Sequence, residues 1–310
     1  KENAVGGMCK TWKWNDFLVD TGPHIFHTPD AQLVQFWEKE FGDLFVKGEF
    51  RCKNVKGDRF DEYWDYPLSW EGISRYPQKL KESILKELDS LNGGTMRAYA
   101  TNYTQYIEAQ VGPTLRQMFF KKYPEKIWGI STDDMTPEWA PKRIEFRQKV
   151  TPFYYNQWNA VGKFGTGCVY DRIRDKILKL GGILHTGSTV TGIRTAGKSV
   201  TGVDLAKGPS IPIEPQDVVV SSLPITFTAR LLGYESSLKF RGIRSVYAAY
   251  RRPGIFPEGL HWLYYDSEHV FFNRITEQKK LSPFVAPPDR TFLTAEITYS
   301  KGDQIDTLDS

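Results

Sequence analysis

Residues 1–28 read KENAVGGMCKTWKWNDFLVDTGPHIFHT, and the reading of this stretch decides the fold. Lys1 to Val5 reads as the end of a strand that runs into the Gly6-Gly7 turn. Residues 12–20, WKWNDFLVD, predict a short hairpin, with Asn15-Asp16 as the turn between apolar flanks. Thr28-Pro29-Asp30 then opens a helix, because Leu33, Val34, Phe36, Trp37 and Phe41 follow at helical spacing.

Working outward, residues 43–70 alternate like strands. Residues 77–129 carry a helical period that Gly112-Pro113 breaks or kinks. At residue 162 the style changes: GKFGTGCVYDRIRDKILKLGG predicts a glycine turn, one amphipathic helix and a Gly-Gly stop. ILHTGSTVTGIRTAGKSVTGVDLA then predicts successive short strands, and DVVVSSLP (217–224) a fully apolar buried strand. Strand character continues from 242 to 300. Such interleaving implies two domains that the chain crosses more than once.

A chain of 310 residues, 40% hydrophobic and 25% charged, is long enough to bury a substantial core. The basic excess of four charges is spread along the chain, so nucleic acid is not implied while an anionic ligand is allowed. Cys9, Cys52 and Cys168 support neither a disulfide framework nor a metal site, and a reducing cytoplasm is the simplest expectation. His24, His27, His185, His261 and His269 lack metal-ligand spacing. Apolar runs fall well short of the roughly 18 to 20 residues that cross a bilayer. Neither a GxSxG nor a phosphate-binding P-loop pattern is present, which removes those hydrolases and nucleotide triphosphatases.

Glu2 at a strand end, Gly6-Gly7, then FLVDTGPHIFHT occur in an order that resembles the N-terminal part of the FAD-dependent amine oxidase and protoporphyrinogen oxidase superfamily, which includes UDP-galactopyranose mutase. The resemblance implies an α/β (α+β) fold, in which a Rossmann-like FAD/NAD(P)-binding domain lacking its first βα unit is interleaved with a substrate domain of mixed sheet and helices. The expected bounds are 1–28 with 162–228 for the FAD domain, and 29–161 with 229–310 for the substrate domain. Whole members open with a strand, a G-x-G-x-x-G turn and a helix that binds the pyrophosphate. No such motif occurs here, so the chain reads as the middle of a longer protein. As a fragment it is expected to bind FAD poorly and to be inactive by itself.

The resemblance also implies roles for particular residues. Glu2 would accept hydrogen bonds from the FAD ribose, and Gly6 and Gly7 would let backbone approach the diphosphate. Many members carry Arg where this chain has Met8, leaving a backbone contact at that place. Gly22, Pro23 and His24 would run beside the isoalloxazine ring, Val190 would meet the adenine, and the strand ending at Ser221, Ser222 and Pro224 would return to the cofactor. Each apolar strand is also common in proteins that bind no flavin.

Arg143 and Arg147 match arginines that hold the substrate diphosphate in the mutase, a task suited to the planar guanidinium fork. The alternative is an exposed pair answering Glu138 or Glu145. Trp262, Tyr264, Tyr265, Asn273 and Arg274 either line the cleft or form a sheet face with its ion pairs. No catalytic residue follows from these patterns. The implied activity is hydride transfer from a small organic substrate to FAD, the substrate being allowed to be anionic or a sugar nucleotide. Flavin-dependent sugar isomerisation, as in the mutase, is the alternative.

Overall fold

A computed structural model describes residues 2–91, 98–142 and 145–308. The chain forms two compact units, 1–10 with 170–240 and 11–169 with 241–310. Residues 11–28 and 162–169, grouped by sequence with the FAD domain, are therefore built into the second unit. The physical cause is the anchoring of Asp20 and Thr166, described below.

The second unit is organised by a six-stranded sheet in the order β11-β14-β13-β12-β5-β6. Its strands are β5 (Cys52–Lys56), β6 (Arg59–Tyr66), β11 (Gly242–Tyr250), β12 (Trp262–Tyr264), β13 (Arg274–Glu277) and β14 (Thr291–Tyr299). Only the β12–β5 pairing among them is parallel. β14, TFLTAEITY, is the longest inner strand and has a ladder on both sides, Val246 opposite Ala295 and Thr276 opposite Thr294. Phe292 and Thr294 are fully buried, as a strand with two neighbours allows.

The first expected hairpin forms as β1 (Thr11–Trp14) and β2 (Phe17–Asp20), with Asn15 at a φ of 52° in the turn. A three-stranded sheet joins β3 (Phe26–Thr28), β4 (Phe45–Lys47) and β7 (Trp158–Gly162). Helix α1 (Ala31–Phe41) starts where the sequence predicts, because the Asp30 carboxylate accepts from the amides of Gln32 and Leu33.

Helices α2 (Trp70–Ser74), α3 (Gln78–Ser90), α4 (Tyr103–Leu115) and α5 (Lys122–Trp128) make the helical block. Ile84 of α3 and Ile107, Val111 and Leu115 of α4 are fully buried in one cluster. The kink in α4 is real: Gly112 has a φ of 78°. A Cβ there would lie 2.7 Å from the Glu87 carboxylate. That carboxylate accepts from the Thr114 amide at 2.8 Å, so α3 satisfies the donor that the kink exposes.

Helix α6 (Gly167–Lys179) matches the amphipathic stretch read from the sequence, and it leads into the other unit. There β8 (Val190–Ala196), β9 (Ser199–Leu205) and β10 (Ile211–Pro212) form an antiparallel sheet, followed by α7 (Ile225–Leu231). One expectation fails here. Residues 217–224 form no strand, and Val218 and Val220 are each 87% exposed rather than buried. An apolar run becomes a strand only when a neighbour takes up its backbone donors and acceptors. Among the described residues none does. The stretch before Val190 likewise forms no strand, and Ile183 is exposed.

Candidate functional site

The inner face of the six-stranded sheet is unusually polar for a buried surface. Along β14, Glu296 falls in the inward register with Phe292 and Thr294, and Arg274 lies directly opposite it on β13. The guanidinium donates to both carboxylate oxygens, through Nε to Oε2 and through a 2.8 Å bond to Oε1. Burial works against the charge on Arg274, but Glu296 outweighs it and holds the group protonated well above its ordinary range. A bidentate pair of this kind is the geometry in which a buried charge is tolerated.

Residues 20–24 lie against this face. Tyr247 donates to the Asp20 carbonyl at 2.9 Å, and Ser245 donates to that of Thr21. Gln278, at the start of the short helix α8 (Gln278–Leu281), donates to the Asp20 carbonyl at 3.0 Å and accepts from the Asp20 amide at 3.2 Å. Gly22 then passes so close that a Cβ would lie 2.2 Å from Glu296 Oε1. Glycine is required there by close approach.

The Asp20 side chain ties this segment to the glycine turn at 162–167. Its carboxylate accepts from Thr11 Oγ1, from the Thr166 amide at 2.9 Å and from Thr166 Oγ1 at 2.8 Å. Burial raises the Asp20 pKa above the ordinary carboxylate value, although these donors and His24 pull the other way. A small cleft beside it is lined by Pro23, His24, Gly162 and Ser282. His24 Nδ1 is buried there without a hydrogen-bond partner.

Farther along the same face, Asn54, Tyr66 and Tyr264 line an aromatic cavity of about 40 Å³ together with Phe119, Tyr123 and Phe153. Tyr123 and Tyr66 meet the Tyr264 ring edge-on, at 4.9 and 5.8 Å between centroids. Asn54 is 5% exposed and its Oδ1 accepts no hydrogen bond. Such a volume accommodates one or more waters or a small donor group. Burial pushes the Tyr264 phenol and the Cys52 thiol up, so both stay neutral.

The expected residues thus divide. Trp262, Tyr264 and Arg274 share the inner face, by the register that sets Trp262 opposite Thr276 and Tyr264 opposite Arg274. Asn273 is buried and donates to Thr298 Oγ1 at 2.9 Å. Tyr265 packs instead with Val55 and Leu263 on the outer face. Arg147 has all five donors engaged within its own loop, by the Glu145 carboxylate, Thr151 Oγ1 and the carbonyls of Pro152 and Phe153. Arg147 thus answers Glu145, with its side chain buried and not exposed. Arg143 lies outside the described residues.

In the other unit, the Glu2 carboxylate pairs with Lys10 and is more than half exposed. Its carbonyl accepts from the Gly187 amide at 2.7 Å, which sets the Glu2 segment beside the approach to Val190. Gly6 and Gly7 have φ values of 100° and 53°, and nothing lies within 4 Å of where a Gly7 Cβ would stand. Met8 is exposed. Ser222 and Pro224 are exposed too, with Pro224 leading into α7. Asp20, Asn54, Tyr247, Gln278 and Glu296 escaped the sequence reading. Only Glu296 carried a signal, as an acidic residue in the buried register of an alternating strand.

No protein-family profile matches the sequence. Solved structures do match in fold. A reduced UDP-galactopyranose mutase aligns with a TM-score of 0.79 at 16% identity, over 97% of this chain and 68% of that one. A protein from Exiguobacterium sp. 255-15 assigned as a protoporphyrinogen oxidase gives 0.67 at 13% identity, over 96% and 70%. A putrescine oxidase gives 0.62 at 13% identity, over 100% and 71%. The architecture is therefore a mixed α/β one of the flavoprotein amine oxidase type. More particularly, the chain has the fold of the superfamily that holds the mutase, the protoporphyrinogen oxidases and the amine oxidases. At these identities the likeness is one of fold. Among the described residues no helix is long and apolar enough to cross a membrane, and no cluster of metal-ligating side chains occurs.

Proposed function

We propose that the chain belongs to a flavin-dependent oxidoreductase that takes a hydride from a small organic substrate. The observation that carries this reading is the fold likeness over nearly the whole chain. FAD, when bound, would supply the two-electron acceptor, a chemistry that side chains lack.

The residues present are compatible with such a group. Gly7 offers backbone with open space beside it, as close approach to a diphosphate requires. Glu2 is exposed enough to exchange Lys10 for ribose hydroxyls. Met8, Val190, Ser222 and Pro224 would add backbone contacts. In the other unit, Tyr247, Gln278 and Ser245 fix the segment carrying Gly22, Pro23 and His24, which would border the ring. Tyr264 and Asn54 would orient the substrate on the sheet face, Asn54 by accepting a hydrogen bond. An anionic substrate would depend on Arg143 more than on the fully engaged Arg147.

The test uses the protein at its full natural length, loaded with FAD and kept anaerobic, and offered a panel of amines and porphyrinogens. Bleaching of flavin absorbance by one of them is expected. A second reading, flavin-dependent sugar isomerisation, is favoured by the TM-score of 0.79 to the mutase. Supplying UDP-galactopyranose under reducing conditions separates the two. Furanose formation without bleaching by any panel member would replace the first reading with the second.

A further inference from the structure

A second concavity, outside the sheet face, has a chemistry of its own. Helix α5 ends at Trp128, where Gly129 turns the chain with a φ of 68°. The chain then returns through residues 130–136 to a helical turn, Pro137–Lys142, that carries Trp139. The two indoles stand at 88° to one another with centroids 5.6 Å apart, forming a corner. Ile130, Met135 and Thr136 complete a hollow of about 250 Å³, and Asp134 lies on its wall.

Three features set this hollow apart from ordinary surface. Trp128 is 43% exposed and Ile130 49%, so large apolar area is left in water beside a turn that could have buried it. The Asp134 carboxylate makes no ion pair among the described residues, whereas Glu108, Glu268 and Glu145 pair with Arg116, Lys122 and Arg147. Two cations borne near this helix end are committed to other acceptors. Lys126 donates to the carbonyls of Ser267, Val270 and Phe272 at 2.8 to 2.9 Å, and Arg241 to those of Ile127 and Lys126.

An exposed indole set edge to face against a second one, with a carboxylate and the Thr136 hydroxyl as the polar groups of the lining, suits a particular ligand. A compact cation with an apolar coat is attracted by the ring faces and by the carboxylate, and it loses little hydration on entering. A phosphate or carboxylate would meet repulsion from Asp134. A neutral alkyl group would gain only burial. We propose that the Trp128–Trp139 hollow is a binding site for an alkylated ammonium group on a small molecule, distinct from the proposed flavin-dependent reaction. Trp139 also lines the aromatic cavity on the sheet face, so the two pockets share one wall.

The test compares choline with its uncharged isostere, 3,3-dimethylbutanol, using protein labelled with ¹⁵N in its tryptophans. Titration should move the indole N–H signals of Trp128 and Trp139 selectively, with affinity in the millimolar range. The ammonium should bind about fivefold or more tightly than the alcohol, as a cation–π pair with a carboxylate implies. Asp134→Asn and Trp128→Leu should each weaken the ammonium by a similar factor. Equal binding of the two probes, or no selective movement of these two signals, overturns the proposal. The probe comparison needs no variant to fold.

Discussion

β14 and residues 217–224 have similar apolar sequences and opposite fates. TFLTAEITY carries a charged residue in its inward register and is nonetheless paired on both sides, with Phe292 fully buried. DVVVSSLP is the more hydrophobic run, yet it is unpaired and leaves two valines in water. The difference is the neighbour. β14 has β11 on one side and β13 on the other, which take up its backbone groups and cover its side chains. A β propensity is mostly a statement about such surroundings.

The comparison breaks most readily at the buried ion pair. Glu296→Ala should cost about 3–5 kcal/mol in denaturant unfolding, because Arg274 is then buried without its partner. Replacing both residues by apolar ones should recover much of that loss. An equal loss in the double variant would mean that the pair acts through packing alone.

Next in size, Phe292→Ala on β14 should cost about 3–5 kcal/mol. Val220→Ser on the unpaired run should stay within about 0.5 kcal/mol. A large effect at Val220 would show that residues 217–224 are buried in solution and would erase the contrast.

Gly22→Ala forces a methyl group onto the Glu296 carboxylate and should cost about 1–3 kcal/mol. Gly7→Ala meets no atom and should lose only about 1 kcal/mol, from its positive φ. Thermal unfolding of the two variants side by side checks that order.

The effect expected at Asp20 is modest and depends on pH. Asp20→Asn keeps the shape but removes acceptor capacity from Thr11 and Thr166, at about 1–2 kcal/mol near neutral pH. Because burial raises the folded pKa, the folded state binds the proton more readily than the unfolded chain. The stability from that preference is fully present below the ordinary carboxylate pKa and disappears as pH rises through the raised one. The cost of Asp20→Asn should therefore grow as the solution is acidified toward pH ~4. A flat difference across that window would contradict the raised pKa.

Local chemistry was readable in advance wherever a single segment decides its own shape. Asn15-Asp16 made the hairpin, Asp30 capped α1, Gly112-Pro113 kinked α4 and Gly181-Gly182 followed α6. Long-range pairing was not readable. Nothing near Asp20 in the sequence announces Thr166 or Gln278, which lie 146 and 258 residues away. The failure at 217–224 has the same cause, since the apolar pattern specifies a strand but not its partner. The order of Glu2, Gly6-Gly7 and GPHIFHT pointed to a fold that the solved structures share, and it said nothing of Asn54 or the Trp128–Trp139 corner.

The most direct test of the central claim is the visible absorption spectrum of the full natural-length protein, recorded after FAD is added and unbound cofactor is removed by dialysis. Retained flavin absorbance at one FAD per chain, weakened by Gly7→Val, is the result expected. A colourless protein that retains no FAD would contradict it.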